Sequence, residues 1–221
     1  MARHTSRPMK SASARGPMGW FIPSFMTWSM ASAEATPSGV EGLLRLMPSP
    51  IGHAIAGLTV HVLASRSEQD LWDPRRVALA VGAALAPDAD LLFQFVDGRN
   101  HHGRELHSVG AALVAALVVY GVWRLRGLRR APSLGMAVGG AWVSHVVLDY
   151  LNIDTNPPIG IMALWPLDSR FYKCPWPVFL DIGRTLEWAT VRHDAIAAAW
   201  ECALLLPVLA LAWRWRPRAR M

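Results

Sequence analysis

The stretch SHVVLDYLN, residues 144–152, sets one imidazole and one carboxylate, His145 and Asp149, among apolar neighbours. Four positions apart, the two stack one turn from each other on a single helix face. The run around them, LGMAVGGAWVSHVVLDYL over 134–151, is otherwise largely apolar. Crossing a bilayer takes roughly 20 such residues, within a range near 17–25. An aspartate at mid-depth in lipid costs about 2.5–3.5 kcal/mol on insertion scales, so it normally faces a partner or a polar cavity. The rest of the chain must therefore supply both further membrane helices and company for this pair.

Composition favours that setting. Of 221 residues, 52% are hydrophobic and 17% charged, against about 25% charged in soluble domains. Mean hydropathy is +0.23. Eleven Trp against three Tyr suits a chain that meets a membrane interface. The net charge is +6 and the pI about 10.1. The arginines cluster after apolar runs, at Arg124, Arg126, Arg129 and Arg130, then at Arg214, Arg216, Arg218 and Arg220. Such clusters read as cytoplasmic flanks of membrane helices. Because the clusters directly follow hydrophobic stretches, they read as membrane flanks in preference to a nucleic-acid surface, and no nucleic-acid partner is expected. The two cysteines, Cys174 and Cys202, form no CxxC and no zinc-finger spacing. Any metal would be held by nitrogen and oxygen.

Residues 1–46 differ from the remainder. They are basic and Ser-rich, then briefly apolar, then small. That layout fits a signal-like extension, and it fits equally a natural start at Met47. Residues 47–221 form the domain. Its apolar segments are 51–65, 77–96 (broken at Pro87-Asp88-Ala89-Asp90), 106–123, 134–151 and 195–213. Small residues at helical spacing, such as Gly52 and Ala56 or Gly135 and Gly139, suit close packing in lipid. The expected fold is all-α: a polytopic membrane bundle of about four to five helices. With the basic clusters inside, the long loop 152–194, rich in Pro and Trp, falls outside. A loop of that length is usually functional or disordered.

This orientation brings candidate ligands from distant segments toward the outer side: His53; Asp88 and Asp90; His102 and His107; His145 and Asp149. Four imidazoles and three carboxylates suit Zn²⁺, with Mn²⁺ or Fe²⁺ as alternatives. The count is ample for one or two ions with a carboxylate bridging. Each piece also has a plain explanation: a helix hydrogen bond for His145–Asp149, an N-cap for Asp88, an interfacial histidine for His53, a polar loop for His101-His102. His61 and His193 fall outside the pattern and read as structural.

MPSPIGHAIAG (47–57), APDADLL (86–92), HGRELHS (102–108), HVVLD (145–149) and GIMALWPLDSRFY (160–172) resemble the inner-membrane, metal-dependent hydrolases named after YdjM. The histidine motif of that family usually reads H-R-G-x-T-H-S. His102, His107 and Ser108 keep its spacing, while Gly103-Arg104 and Leu106 depart from it. The HxxxD helix is also similar, more distantly, to the metal-binding helices of zinc-dependent phospholipase C and single-strand nucleases. The resemblance implies an inner-membrane, multi-pass protein with a metal site toward the outer face, and hydrolysis of a phosphoester in a small-molecule or lipid substrate. His53, Asp88, His107, His145 and Asp149 are the ligands expected first. Asp90 and His102 follow, as ligands or supporting partners. Arg104 or Arg170 is expected to hold an anionic group, and Asp90 to accept a proton. Two rivals differ in class. A metal transporter needs a continuous polar path, yet residues 111–123 and 134–143 carry no ionisable group but the phenol of Tyr120. A structural membrane protein would pair the polar residues only with one another. Oligomeric state is not legible.

Overall fold

The computed structural model of the chain describes residues 49–127, 131–154, 158–183, 185 and 187–216. The N-terminal extension, Met47, and the distal arginines Arg129, Arg130, Arg218 and Arg220 lie outside these residues.

Every regular element among the described residues is helical, and pairing between extended segments is limited to two isolated bridges, Asn152 with Phe179 and Ile161 with Tyr172. Helix α1 (Pro50–Ala64) begins on a proline, whose missing N–H costs nothing in a first turn. A short α2 (Glu68–Leu71) is capped by the Ser67 hydroxyl, and α3 (Pro74–Leu85) by the Asp73 carboxylate on the Arg75 N–H. After Leu85 the chain tightens into a 3₁₀ stretch, Ala86–Phe93, followed by a single turn, α4 (Gln94–Asp97). Helix α5 (Val109–Leu125) is capped by Ser108, whose Oγ accepts from the Ala111 N–H at 3.0 Å. Two long helices complete the set, α6 (Ala131–Tyr150) and α7 (Trp188–Trp215).

The all-helical expectation holds, with fewer clear spans than expected. Two helices, α6 and α7, are long and apolar enough to cross a membrane, while α1 and α5 are shorter apolar helices. At 1.5 Å per residue, α3 covers only about 18 Å. The apolar run 77–96 is thus not one broken helix but α3 plus the 3₁₀ stretch. The last helix starts at Trp188 instead of 195 and shortens the preceding loop.

Helix α1 packs against α3, α6 and α7, and α6 against α3 and α5. Small side chains make the contacts: Ala83, Ala84, Val138 and Ala141 form a buried cluster with Val60, Leu79, Ala115 and Val119 against it. At Gly57 a methyl group would meet the Ala84 Cβ at 2.8 Å, so only glycine lets α1 and α3 come this close. Backbones brought together through small residues are the usual solution where lipid replaces water. The outward faces stay apolar: Leu113, Val114, Leu117 and Val118 of α5, and Ile196, Leu206, Val208 and Leu211 of α7, are all exposed.

Candidate metal centre

The centre forms where the end of α3, the loop before α5, the last turn of α6 and the first turn of α1 meet. Asp88 and Asp90 come from the 3₁₀ stretch, His102 and His107 from the loop, His145 and Asp149 from α6, and His53 from α1. His107 and His145 are fully buried, and His53 and Asp90 nearly so. His102 is the most open of the set, its side chain 25% exposed.

One oxygen of Asp149 faces two imidazoles, with Oδ2 3.1 Å from His107 Nε2 and 3.0 Å from His145 Nε2. Asp88 Oδ1 stands 3.6 Å from each of the same nitrogens and 3.8 Å from His102 Nδ1. Donor atoms about 2.1 Å from a tetrahedral ion lie about 3.4 Å from one another. The observed spacings are of that size. One atom from each of Asp88, His102, His107 and Asp149 lies within 4.8 Å of the others, and the same is true of His53, His145 and Asp149.

The donor set passes a second test. Asp88 Oδ1, His107 Nε2, His145 Nε2 and Asp149 Oδ2 are buried, and none makes an aligned hydrogen bond. Buried polar atoms are nearly always satisfied, so four such atoms facing one another suit a common occupant. A divalent cation suits them: two carboxylates neutralise it and two imidazoles complete the shell.

Backbone and buried carboxylate hold the rings in place. In 3₁₀ register the Ala84 carbonyl would accept from residue 87, a proline with no N–H. The carbonyl instead takes the His145 Nδ1–H at 2.7 Å. That bond fixes the tautomer and turns a bare Nε2 toward the centre. Behind His107, Asp90 Oδ2 lies 3.0 Å from Nδ1, and Asp90 Oδ1 lies 3.5 Å from His102 Nδ1. Asp90 therefore sits behind the rings and is not among the converging groups. The Trp142 indole donates to the Leu106 carbonyl at 2.7 Å and pins the loop next to His107.

The segment GIMALWPLDSRFY clamps the same loop. The Met162 N–H donates to the Gly103 carbonyl at 2.7 Å, and Gly103 adopts φ +79°, which favours glycine. The Val109 and Gly110 N–H groups, at the start of α5, donate to the Ala163 and Trp165 carbonyls. Within the segment, Asp168 accepts from Arg170 at 2.6 Å and from the Tyr172 hydroxyl. The Arg170 guanidinium and the Tyr172 hydroxyl hold the Asp168 carboxyl well below the usual carboxylate range. Arg170, expected as an anion holder, is thus engaged by Asp168. Arg104 is exposed on the histidine loop. His61 is bonded to the Leu71 carbonyl and His193 to Asp181, both away from the centre.

One buried acid was not among the expected site residues. Glu201 of α7 is 7% exposed and lies against α1. A single acid within ECALLLPVLALAW gives no spacing signal in its own helix. Its rarity inside an apolar run was the available clue.

A histidine–carboxylate centre buried in an all-helical assembly with apolar outer faces defines a membrane protein with a candidate metal site. The chain belongs to the YdjM inner membrane protein family, which matches residues 47–221. Membership, with the two long apolar helices, puts the protein at the inner membrane. No curated protein and no solved structure matches the chain.

Proposed function

We propose that the protein is a metal-dependent hydrolase of the inner membrane, acting on phosphoester bonds of a lipid or lipid-linked substrate. The observation that carries the reading is the convergence of four orphaned donor atoms, from Asp88, His107, His145 and Asp149, at ligand spacing. Zinc fits this nitrogen and oxygen set best, with manganese or iron as alternatives.

A divalent ion bound here supplies Lewis acidity and brings the pKa of a bound water toward about 7. The chain supplies the rest. Asp88 and Asp149 balance the charge. The Ala84 carbonyl and Asp90 keep His145 and His107 in the ligating orientation. His102, at the open side, is the group nearest incoming substrate, and Arg104 on the same loop is available to hold an anionic oxygen. The apolar faces of α5 and α7 favour an amphiphilic substrate over a free solute.

In this reading α1 and α5 join α6 and α7 as four passes, and α3 makes a fifth only together with the 3₁₀ stretch that extends it. Arg124 lies in the last turn of α5 and Arg126 is its C-cap, and Arg214 and Arg216 likewise close α7. His107 precedes α5, and Asp149 ends α6. The positive-inside rule then puts the arginines in the cytoplasm and the centre toward the outer face.

Elemental mass spectrometry on detergent-purified protein tests the proposal, with wild type beside His145→Ala/Asp149→Ala. One or two equivalents of zinc, manganese or iron, lost in the double variant, are expected, and a phosphoesterase screen on lipid substrates follows. Well-folded wild type that holds no metal after reconstitution would refute it.

A further inference from the structure

Beside the centre, between α1, the end of α6 and α7, lies a small pocket walled by Ser49, Gly52, His53, Asp149, Asn152 and Glu201, among others. Its free space, about 10 Å³, takes about one water-sized occupant. Four polar atoms of its lining residues, Ser49 Oγ, His53 Nδ1, Asn152 Oδ1 and Glu201 Oε2, are buried without an aligned hydrogen bond, with the Ser49 hydroxyl and the Gly52 N–H beside the Glu201 carboxylate. Ser49, His53 and Glu201 are each more than nine-tenths buried. Ser49 stands at the N-cap of α1, yet its hydroxyl makes no capping bond.

Asp149 connects this pocket to the centre. Its Oδ2 faces His107 and His145, while its Oδ1 faces His53 Nε2 at 3.2 Å. The two oxygens of one carboxylate thus serve two sides. His145 cannot serve both, because its Nδ1 is spent on the Ala84 carbonyl.

We propose that this pocket is a second divalent-cation site, bridged to the first by Asp149, with His53 Nε2 and Asp149 Oδ1, 3.2 Å apart, on one side and Glu201 on the other. The inference rests on the metal reading of the main centre. Three features point to a cation. The wall is rich in acceptors, the space admits one small occupant, and an acid inside an apolar helix normally faces a partner or a polar cavity. The sequence is arranged for it as well. A Cβ at residue 52 would stand 2.6 Å from Glu201 Oε2, so Gly52 is what allows the carboxylate to reach α1. Ser49, Gly52 and His53 of the SPIGH stretch all face this pocket, which gives that stretch a purpose that a single ligand at His53 does not. Asn152 and Ser49 offer neutral oxygens to complete the shell.

The test is the stoichiometry of the full chain in detergent, loaded with Mn²⁺ and desalted, for wild type and Glu201→Gln. Two equivalents in wild type and one in Glu201→Gln are expected. The low-temperature electron paramagnetic resonance spectrum should change from that of an exchange-coupled pair to that of an isolated ion. One equivalent in wild type would overturn the second site and leave the main centre standing. Two equivalents in both proteins would overturn the role of Glu201. None in wild type would remove both readings together. Melting in chelator shows whether Glu201→Gln folds. Should it not accumulate, Asn152→Ala gives the same comparison, with weakened retention of the second ion expected and unchanged retention overturning the proposal.

Discussion

Replacing Asp90 with asparagine separates a ligand from a group that orients one. Asp90 is 3% exposed, and its Oδ2 lies 3.0 Å from His107 Nδ1, the nitrogen turned away from Asp88 and Asp149. Asp90→Asn keeps the size and removes the charge. The His107 ring loses the anion that raises its basicity and fixes its orientation, while all four converging donors remain. Loss of such a supporting partner costs roughly 10–100-fold in metal affinity, or about 1.4–2.7 kcal/mol. Competition between the purified variant and a chromophoric chelator, followed as a titration at fixed pH, reads that ratio directly. The expected result is weaker binding by that factor with unchanged stoichiometry at saturating metal. Affinity equal to wild type would refute the orienting role. Loss of an equivalent even at saturation would show that Asp90 is itself a ligand and that the spatial division drawn here is wrong.

Four other outcomes follow from the same geometry. Gly52→Ala, whose methyl would collide with Glu201, should expel the second ion while leaving the first, as read by metal content. Acidification should release metal, since protons compete with it for the imidazole nitrogens. Equilibrium dialysis over a descending pH series checks it, and release that does not vary with pH would count against histidine ligation. Trp142→Phe removes the half-buried bond to Leu106 and should lower stability by about 1 kcal/mol, seen as a lower melting temperature in chelator. Asp168 has its carboxyl depressed in the folded chain, so what it adds to loop stability is present above about pH 3.9 and is lost as pH falls through the depressed value. Asp168→Asn should expose the 160–172 loop to protease at neutral pH, whereas wild type should resist until strongly acidic.

The convergence of His53, Asp88, His107, His145 and Asp149 was legible because each breaks an apolar or small-residue pattern and because charged flanks ordered the helix ends. The i, i+4 pair needed nothing more than its spacing. The 3₁₀ stretch was not legible. Eight residues with two aspartates and one proline carry no periodicity that separates a kinked helix from a tightened one. The early start of α7 was hidden by Arg192, His193 and Asp194, which end the apolar run without ending the helix. Glu201 was missed for a related reason. Its partners, Ser49 and Gly52, lie on α1 at the other end of the sequence, and no local spacing joins them. The pairing of Arg170 with Asp168, two positions before it, was not legible, because the spacing does not separate a paired guanidinium from a free one.

The bond from His145 to the Ala84 carbonyl has a consequence for how this site can change over time. A ring oriented by a side chain can be retuned by replacing that side chain. Here the acceptor belongs to the backbone, freed by Pro87 and reached through an alanine-packed seam, so substitution at position 84 itself would leave the acceptor in place. The orientation of His145 is therefore shielded from gradual drift, and variation at the centre is channelled to the residues with side-chain supports: His107 and His102, through Asp90, and His53, through the pocket shared with Glu201.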